Sequence, residues 1–358
     1  MKAEIITITG ETNYGNRLQN YAVEQVLFNL GVNAVTYNAC PMGLNALKFE
    51  LKRRIKYLIK RGCYIRDSRY PGFNRFNRRY IHSANHHPSD ADYVICGSDQ
   101  IWNFTWGTIW EKKDLYFARF ADPDKRIAYS ASIGSDYVPQ EYREDFIKGV
   151  NEMKSVSVRE EKGAQIIKEL TGKKVAVTVD PTLMLTKSDW LKIAKKPKFI
   201  KNRKYILTYF LGGIGDEIQH FIYQVSEKYH LEIINLYNEW TPEEKIKNIR
   251  HFRSSPDEFV WLAANCEVMF TDSFHGSVFS VIMDKPFRCF ERKEKGVANM
   301  NSRMDTLFGN LDIADWCIGN TGESVENVFY RNYNNVDIVL EKEKKEAYDY
   351  LKGALGIE

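Results

Sequence analysis

The fold is decided by the stretch VMFTDSFHG at residues 268–276. An apolar run ends at Thr271, polar residues follow at once, and the apolar positions beyond them have helical spacing. The pattern predicts a strand, a tight turn and a helix that begins at the turn. Because their side chains accept hydrogen bonds from free backbone N–H groups, Asp272 or Ser273 is expected to cap that helix.

The same succession of strand, polar turn and helix recurs along the 358-residue chain. Such alternation is typical of parallel α/β units. Strands are predicted at 4–9, 33–37, 93–96, 127–132, 155–158, 174–179, 204–210, 231–236, 267–271 and 286–290. Helices are predicted at 15–30, 139–153, 160–171, 216–229, 257–265, 274–283 and 336–355.

The length favours two domains, because a single hydrophobic core rarely serves so many residues. A polar stretch with a proline, at 195–198, suits a linker. We predict an α/β protein with two Rossmann-like domains that face each other across a cleft. The N-terminal domain would span 1–185, with a basic helical segment at 43–80, and the C-terminal domain 186–335. A helix over 336–358 is expected to cross back to the N-terminal domain.

Composition excludes several classes of protein. Hydrophobic residues make up 44% and charged residues 27%, which is ordinary for a globular chain. Residues 48–79 carry twelve Lys and Arg and two acids, whereas the remainder has a charge of −6, which argues against a general nucleic-acid binder. Without a signal sequence, a membrane span or paired cysteines, we expect a reduced, cytoplasmic protein.

Polar clusters follow the predicted strands at their carboxyl ends, which meet on one edge of a parallel sheet. Ligands bind at that edge, so the clusters together predict a catalytic cleft. Each cluster taken alone is also explained as an ordinary turn or cap. The clusters lie at 10–17, 97–100, 130–135, 159, 180, 212–216 and 272–276.

Two residues in these clusters carry most of the predicted chemistry. His275 lies near a positive helix end, which favours the neutral imidazole and thus a base near pH 7. The alternative is a histidine that only forms hydrogen bonds in a buried turn. Arg159, after a strand and at a helix start, suits a phosphate or carboxylate, although an ion pair with Glu160 or another acid explains it equally well. Arg303 is a second candidate for holding an anion.

Three further motifs are less specific. Residues 97–103 offer Asp99 and Gln100 to sugar hydroxyls and Trp102 as an apolar face. The glycines at 212–215 lack the third glycine of a dinucleotide fingerprint, so NAD is not expected. His82, His86 and His87 lack the spacing of metal ligands, and neither a metal nor a cofactor is predicted.

Leucines and isoleucines alternate with Lys and Arg at helical spacing in residues 43–61. Such a basic amphipathic helix can rest on an anionic membrane surface at the cytoplasmic face. A peripheral helix with a solvated basic face is the alternative, and the one we favour.

Taken together, the motifs resemble the polysaccharide pyruvyl transferase family. The matching segments, in family order, are NYGNRLQNYA at 13–22, GSDQIWN at 97–103, YSASIG at 129–134, SVRE at 157–160, VDPTL at 179–183 and TDSFHG at 271–276. Many family members carry Gly-Asp where this chain has Gly15-Asn16, a difference that concerns the sugar acceptor more than the donor.

The resemblance implies a GT-B-like fold and transfer of a pyruvyl group from phosphoenolpyruvate to two sugar hydroxyls as a ketal, with release of phosphate. It implies a role in cell-surface polysaccharide biosynthesis with a lipid-linked oligosaccharide as acceptor. His275 and Arg159 match the family's essential histidine and arginine, and Asp99 and Asp180 match family acids. Substrate contacts are predicted for Asn13, Asn16, Arg17, Asp99, Gln100, Ser132, Asp180, Asp272, Ser273 and Arg303.

Two other functions remain open from the sequence. A nucleotide-sugar glycosyltransferase of the same fold would need a diphosphate-binding loop, for which residues 212–216 are a candidate. A non-catalytic glycan-binding protein would not need both Arg159 and His275. The incomplete glycine pattern disfavours a dehydrogenase.

Overall fold

The computed structural model describes residues 1–9, 12–38, 51, 55, 69–88, 90–201, 203–236, 251–292 and 302–358. Among them, seven parallel strands form a first sheet in the order β3-β2-β1-β4-β5-β6-β7. These strands are β1 (Lys2–Ile6), β2 (Asn33–Tyr37), β3 (Ser83–Ala84), β4 (Tyr93–Cys96), β5 (Arg126–Ala131), β6 (Ser155–Val158) and β7 (Ala176–Val177).

Eight helices accompany the first sheet in the described part of the chain. They are α1 (Tyr14–Asn29), α2 (Tyr70–Tyr80), α3 (Gly107–Trp110), α4 (Lys113–Tyr116), α5 (Arg143–Asn151), α6 (Glu161–Thr171), α7 (Pro181–Met184) and α8 (Lys187–Ile193). Short 3-10 turns occur at Pro123–Lys125 and Gln140–Tyr142.

A second parallel sheet has the order β10-β9-β8-β11-β12 among the described residues. Its strands are β8 (Tyr205–Tyr209), β9 (Glu232–Leu236), β10 (His251–Phe252), β11 (Val268–Thr271) and β12 (Phe287–Cys289). The helices that follow β8 are α9 (Asp216–Tyr229), α10 (Pro256–Asn265), α11 (Phe274–Ile282), α12 (Ser302–Asn310), α13 (Ala314–Cys317) and α14 (Val336–Leu355), with a 3-10 turn at Asn327–Phe329.

The predicted α/β fold with two parallel sheets is confirmed, and most predicted elements lie within two residues of their positions. Residues 174–179 form only the short strand β7. The strands β3 and β10 and the helices α3, α4, α7, α8, α12 and α13 were not predicted, and for two of these helices the cause is visible. Asp180 and Thr186 cap α7 and α8, and such caps allow short helices to form where the apolar pattern is weak. The domain limits at 185 and 335 stay predictions.

One apolar cluster extends over both sheets. Tyr14 at the start of α1 stacks on Phe259 of α10, with ring centroids 4.8 Å apart, and meets the Tyr209 ring edge-on at 5.2 Å. The Tyr14 hydroxyl is 2.7 Å from Oγ of Ser254. These contacts hold the N-terminus of α1 against the second sheet, where the candidate site lies.

The C-terminal helix α14 contacts the first sheet. The Tyr350 hydroxyl donates to the carbonyl of Ala128 in β5 at 2.7 Å, and Lys154 donates to the carbonyl of Ala354 at 2.8 Å. Among the described residues, none of the helices combines the length and apolar composition that crossing a bilayer requires.

Candidate active site

His275 is placed by the turn between β11 and α11. The hydroxyl of Ser273 caps α11 by accepting a hydrogen bond from the N–H of Gly276 at 3.4 Å, and Thr271 Oγ1 accepts from the N–H of Ser273 at 3.0 Å. The predicted strand, turn and helix are therefore confirmed. His275 lies in the first turn of α11, and its side chain is buried.

Arg159, Asp180 and His275 meet at one carboxylate oxygen. Nη1 of Arg159 donates to Asp180 Oδ2 at 2.5 Å, and Nε2 of His275 is 3.8 Å from the same oxygen. Arg159 follows β6 and Asp180 precedes α7, whereas His275 belongs to the second sheet. The two residues predicted to carry the chemistry thus share one partner. The sequence left an ion pair of Arg159 with Glu160 or with another acid as an alternative, and the structure contains such a pair with Asp180.

Asp180 is held rigidly by its own helix cap. Its Oδ1 accepts hydrogen bonds from the backbone N–H of Thr182 at 2.9 Å and from the Thr182 hydroxyl at 2.6 Å. Burial by itself raises the pKa of Asp180, but the charge of Arg159 and these hydrogen bonds hold the pKa below its usual range. Asp180 is therefore a fixed negative charge beside the imidazole.

Burial lowers the pKa of His275 to about 4. The attraction of Asp180 opposes this shift, and the repulsion from Arg159 adds to it. The neutral imidazole expected from the sequence follows mainly from burial, because a buried charge loses its hydration. His275 consequently keeps a basic nitrogen at pH 7.

Gly15 at the start of α1 lies directly against the imidazole. A Cβ atom built on Gly15 would be 2.1 Å from Nδ1 of His275, closer than any real contact. Nε2 of His275 lies on the side of Asp180, 3.8 Å from its Oδ2, and has no hydrogen-bond partner among the described residues, whereas Nδ1 is packed against Gly15.

A cavity of about 110 Å³ lies next to this group, and Arg159, Asp180, Phe274 and Arg303 are among its lining residues. One water needs roughly 10–15 Å³ of such space, so the cavity has room for a small anion. Both guanidinium groups lie over the Phe274 ring, at 4.8 Å for Arg159 and 5.5 Å for Arg303.

Arg159 lines the cavity and has unused hydrogen-bond donors. Its Nη1 is used by Asp180, but Nε and Nη2 are buried and have no hydrogen-bond partner among the described residues. These two nitrogens form the planar fork that binds carboxylates and phosphates through two parallel hydrogen bonds. Asp180, Glu160 and Asp99 raise the pKa of Arg159 although burial opposes them, so the fork is charged.

Arg303 is joined to the first sheet through Gln100. With the Gln100 carboxamide assigned so that its oxygen faces Arg303, that oxygen accepts hydrogen bonds from Nη1 and Nη2 of Arg303 at 2.8 and 2.7 Å. Burial, and then repulsion from Arg159, lower the pKa of Arg303 to about 9, so it still carries its charge at pH 7. Gln100 and Arg303, both predicted as binding residues, thus link the two sides of the site.

Glu160 fixes the loop after β5. Its Oε1 accepts hydrogen bonds from the Ser132 hydroxyl at 3.0 Å and from the backbone N–H groups of Ile133 and Gly134 at 2.7 and 3.1 Å. Ser132, predicted to bind substrate, is therefore engaged by Glu160. The backbone N–H of Ser132 in turn donates to the carbonyl of Asp99 at 3.1 Å, so Glu160 also supports the segment that carries Asp99.

Asp99 is buried at the end of β4 with one oxygen in use. Its Oδ1 accepts from the backbone N–H of Gln100 at 2.8 Å. Oδ2 is buried and has no partner within the described ranges. A carboxylate oxygen in this state has unused capacity to accept a hydrogen bond.

The remaining predicted binding residues contact their own chain. Asn13 caps α1 by accepting from the N–H of Asn16 at 3.2 Å. Arg17 donates to the carbonyl of Ile8 at 2.7 Å, and burial lowers the pKa of Arg17 to about 10. Asp272 accepts from the N–H groups of residues 211 and 212 at 2.6 and 2.7 Å, which holds the glycine loop after β8. Their contacts with substrate, like that of Ser273, stay predictions.

One interpretation of the sequence is wrong. Trp102 does not offer a face to a ligand, because its ring is fully buried and stacks on Phe117 at 5.4 Å. The neighbouring apolar residues Ile101 and Phe104 do not indicate whether Trp102 is buried, since apolar residues line both cores and binding sites. The basic helix predicted at 43–61 lies outside the described residues, apart from Leu51 and Ile55.

Gly15 and Glu160 are the residues of the site that the sequence analysis did not assign. Both stand inside quoted motifs, next to Asn16 and Arg159. A glycine inside a helical pattern can have a packing reason, and this is the signal from which Gly15 could have been found. Nothing in the sequence indicated that Glu160 reaches across to residues 132–134.

The fold and the parallel strand order define a protein of the GT-B type. Among solved structures, the UDP-GlcNAc 2-epimerase from Methanocaldococcus jannaschii, in complex with UDP-GlcNAc and UDP, is similar with a TM-score of 0.51 and 13% identity, over 96% of this chain and 94% of that one. The MnaA protein of S. aureus, solved with UDP, has a TM-score of 0.50 and 12% identity, over 100% and 97% of the two chains. At these identities the similarity concerns the fold alone.

The family model described as polysaccharide pyruvyl transferase matches residues 13–294. The chain belongs to this family, which is a family of transferases. The match includes Gly15, Arg159, Asp180 and His275 but not Arg303. No curated protein matches the chain.

Proposed function

We propose that the protein transfers the pyruvyl group of phosphoenolpyruvate to two hydroxyls of one sugar, forming a ketal and releasing phosphate. The acceptor in this proposal is a lipid-linked oligosaccharide at the cytoplasmic face of the membrane, made for a cell-surface polysaccharide. Membership of the family supports the reaction. The observation that carries the proposal is that Arg159, which lines a cavity and forms an ion pair with Asp180 beside His275, has two buried nitrogens, Nε and Nη2, without a hydrogen-bond partner among the described residues.

The donor suits the two arginines of the cavity, Arg159 and Arg303, whose lining also includes the acids Glu161, Asp180, Glu343 and Glu346. Phosphoenolpyruvate carries a planar carboxylate and a tetrahedral phosphate. A guanidinium fork can hold either anion. Arg159 would take one of these groups through Nε and Nη2. Arg303 would help with the other, since the amide oxygen that it now contacts is a weaker acceptor than an anion.

His275 is the proposed proton carrier. Its Nδ1 is packed against Gly15, its Nε2 has no hydrogen-bond partner among the described residues, and Asp180 stabilises the imidazolium that forms when the ring takes a proton. A sugar hydroxyl in hydrogen-bond reach of Nε2 would lose its proton as its oxygen bonds to C2 of the donor. General acid–base catalysis of this kind typically contributes about 10²–10⁴-fold.

The proposed reaction balances without a cofactor. The first hydroxyl oxygen bonds to C2 as the methylene carbon gains a proton and becomes a methyl group. The bond between C2 and the phosphate oxygen then breaks, and the second hydroxyl oxygen bonds to the same carbon. The two protons lost by the hydroxyls end on the methyl carbon and on phosphate.

The test is incubation with phosphoenolpyruvate and a panel of p-nitrophenyl hexosides and lipid-linked sugars with neighbouring free hydroxyls. We expect phosphate release and one ketal per phosphate, measured by mass spectrometry. Calorimetry should detect binding of phosphoenolpyruvate and none of UDP-GlcNAc. Binding of the nucleotide sugar, without binding of phosphoenolpyruvate, would favour a glycosyltransferase instead.

Two variants test the assigned residues. Arg159→Lys keeps the charge beside Asp180 but removes the fork, so it should raise KM for phosphoenolpyruvate at least 10-fold. His275→Gln should reduce phosphate release about 10²-fold or more while leaving the affinity for phosphoenolpyruvate near that of the wild type. Normal phosphate release by His275→Gln would contradict the role of the imidazole.

A further inference from the structure

The ketal needs two hydroxyl oxygens on one carbon, and each hydroxyl must lose a proton. The proposed role of His275 accounts for the first hydroxyl, which leaves the second without a proton acceptor. Any such acceptor must be a basic atom that lies in the same site and is not already used by the protein. Two buried carboxylate oxygens have no hydrogen-bond partner among the described residues, Glu160 Oε2 and Asp99 Oδ2. The other oxygen of Glu160 already holds the loop at 132–134, and Asp99 is the acid whose charge acts on the imidazole of His275, so Asp99 meets these conditions better.

Asp99 is fixed in place by its neighbours. Its carbonyl accepts from the N–H of Ser132 at 3.1 Å, and its Oδ1 accepts from the N–H of Gln100 at 2.8 Å. The preceding residue, Ser98, donates its backbone N–H to the side chain of Gln19 in α1 at 3.1 Å. The carboxylate is therefore held in one orientation by the backbone around it.

These contacts also place Asp99 between the two halves of the site. The residue after it, Gln100, binds Arg303 of the C-terminal side. The residue before it is attached to α1, the helix whose Gly15 touches His275. In agreement with this position, the charge of Asp99 acts on the pKa values of both Arg159 and His275.

The second oxygen of Asp99 has no use within the described fold. Oδ2 is buried and has no hydrogen-bond partner among the described residues, although leaving a buried acceptor unsatisfied destabilises the fold. A ligand hydroxyl that donates to Oδ2 would remove that destabilisation. Asp99 comes from the first sheet and His275 from the second, so a sugar that bridges them would present one hydroxyl to each.

We infer that Asp99 accepts the proton of the second hydroxyl, the one that closes the ketal ring. The inference rests on the proposed function. In this step the O–H bond of the second hydroxyl breaks, its oxygen bonds to the oxocarbenium carbon, and the proton passes to Oδ2 of Asp99. The proton then leaves on the released phosphate, which restores the carboxylate.

The test is the product ratio of Asp99→Asn with phosphoenolpyruvate and a p-nitrophenyl hexoside that the wild type converts to a ketal. Asparagine keeps the oxygen that accepts from Gln100 and replaces only the unpartnered one. We expect phosphate release within about 10-fold of the wild type, but at least a 10-fold fall in ketal per phosphate. Water would capture the intermediate instead, so the missing ketal should appear as pyruvate.

The same hexoside without its ring-closing hydroxyl provides the control. On this deoxy acceptor the ring cannot close, so the wild type itself should form one pyruvate per phosphate, the product expected from Asp99→Asn with the complete hexoside. Asp99→Glu, which displaces the oxygen by one methylene, should also form excess pyruvate and serves if Asp99→Asn does not fold.

Asp99→Asn with one ketal per phosphate, at whatever rate, would overturn the inference. A fall in phosphate release of more than about 100-fold in Asp99→Asn would overturn it as well, because Asp99 would then act in the first step. A wild type that neither binds phosphoenolpyruvate nor releases phosphate from it would refute the proposed function itself.

Discussion

Position 15 shows how strictly one residue can be constrained by a catalytic side chain. Only a hydrogen atom fits between the backbone of Gly15 and Nδ1 of His275. Gly15→Ala should displace the imidazole from Asp180 and lower kcat at least 100-fold, while overpacking costs about 1–3 kcal/mol of stability. Steady-state kinetics and urea unfolding of the same protein measure both effects.

Gly353→Ala is the matched control for Gly15→Ala. Position 353 is also in a helix, but an added Cβ would meet nothing within 4 Å. Alanine favours a helix over glycine by about 1 kcal/mol, so this variant should be as active as the wild type and slightly more stable. Full activity of Gly15→Ala would mean that the imidazole does not need its present position.

His275 should also affect how stability depends on pH. The groups around it are Asp180, Arg159, Asp99 and Arg303, and burial keeps its pKa near 4 in the folded state. The unfolded chain binds a proton at the usual pKa of about 6.5, so the folded state loses stability as the pH falls from 6.5 to 4. The loss is about 3 kcal/mol, from roughly 1.4 kcal/mol per pKa unit.

The measurement is urea unfolding of the wild type and His275→Gln at pH 7, 6, 5 and 4. Glutamine cannot take up a proton, so the variant should lose less stability on acidification. His220→Gln, at an exposed helix position, is the control and should follow the wild type. Parallel curves for wild type and His275→Gln would show that the imidazole is not held neutral by burial.

At the scale of helices and strands, the sequence was a good guide because local patterns set local structure. The polar turn at 272–273 and the apolar run before it predict β11 and α11 correctly. Contacts between residues distant in sequence leave no such pattern. The hydrogen bonds of Glu160 to the loop at 132–134, and of Gln100 to Arg303, depend on how the elements pack, so only the structure reveals them.

The helix α14 gives a prediction at the same scale. Tyr350 attaches it to β5 through the hydrogen bond to Ala128, and the Tyr350 ring stacks on Tyr129 at 6.5 Å. Tyr350→Phe keeps the ring but removes the donor, which should cost about 1 kcal/mol. Thermal unfolding should detect a lower Tm, whereas Tyr137→Phe, at a position that is 52% exposed, should leave Tm unchanged. An unchanged Tm for Tyr350→Phe would mean that this bond adds nothing to stability.

The whole molecule is organised around a site that neither sheet completes alone. Arg159 and Asp180 follow strands of the first sheet, His275 follows a strand of the second, and one apolar cluster joins the two sheets. This arrangement explains why the residues of the site are spread over most of the sequence. It also implies that the two sheets unfold together and that a ligand held between them stabilises both.

Calorimetry in the presence of phosphoenolpyruvate tests this implication. We expect a single unfolding transition that shifts as a whole to higher temperature, because a ligand at 100 times its Kd stabilises the folded state by about 2.7 kcal/mol. Arg159→Lys should also unfold in one transition. The variant should need at least 10-fold more phosphoenolpyruvate than the wild type for the same rise in Tm. Arg331→Lys, which changes a pair at the surface with Asp284, should respond like the wild type. Two separate transitions, with only one of them shifted by the ligand, would mean that the donor is held by one domain and that the shared carboxylate of Asp180 does not couple the sheets.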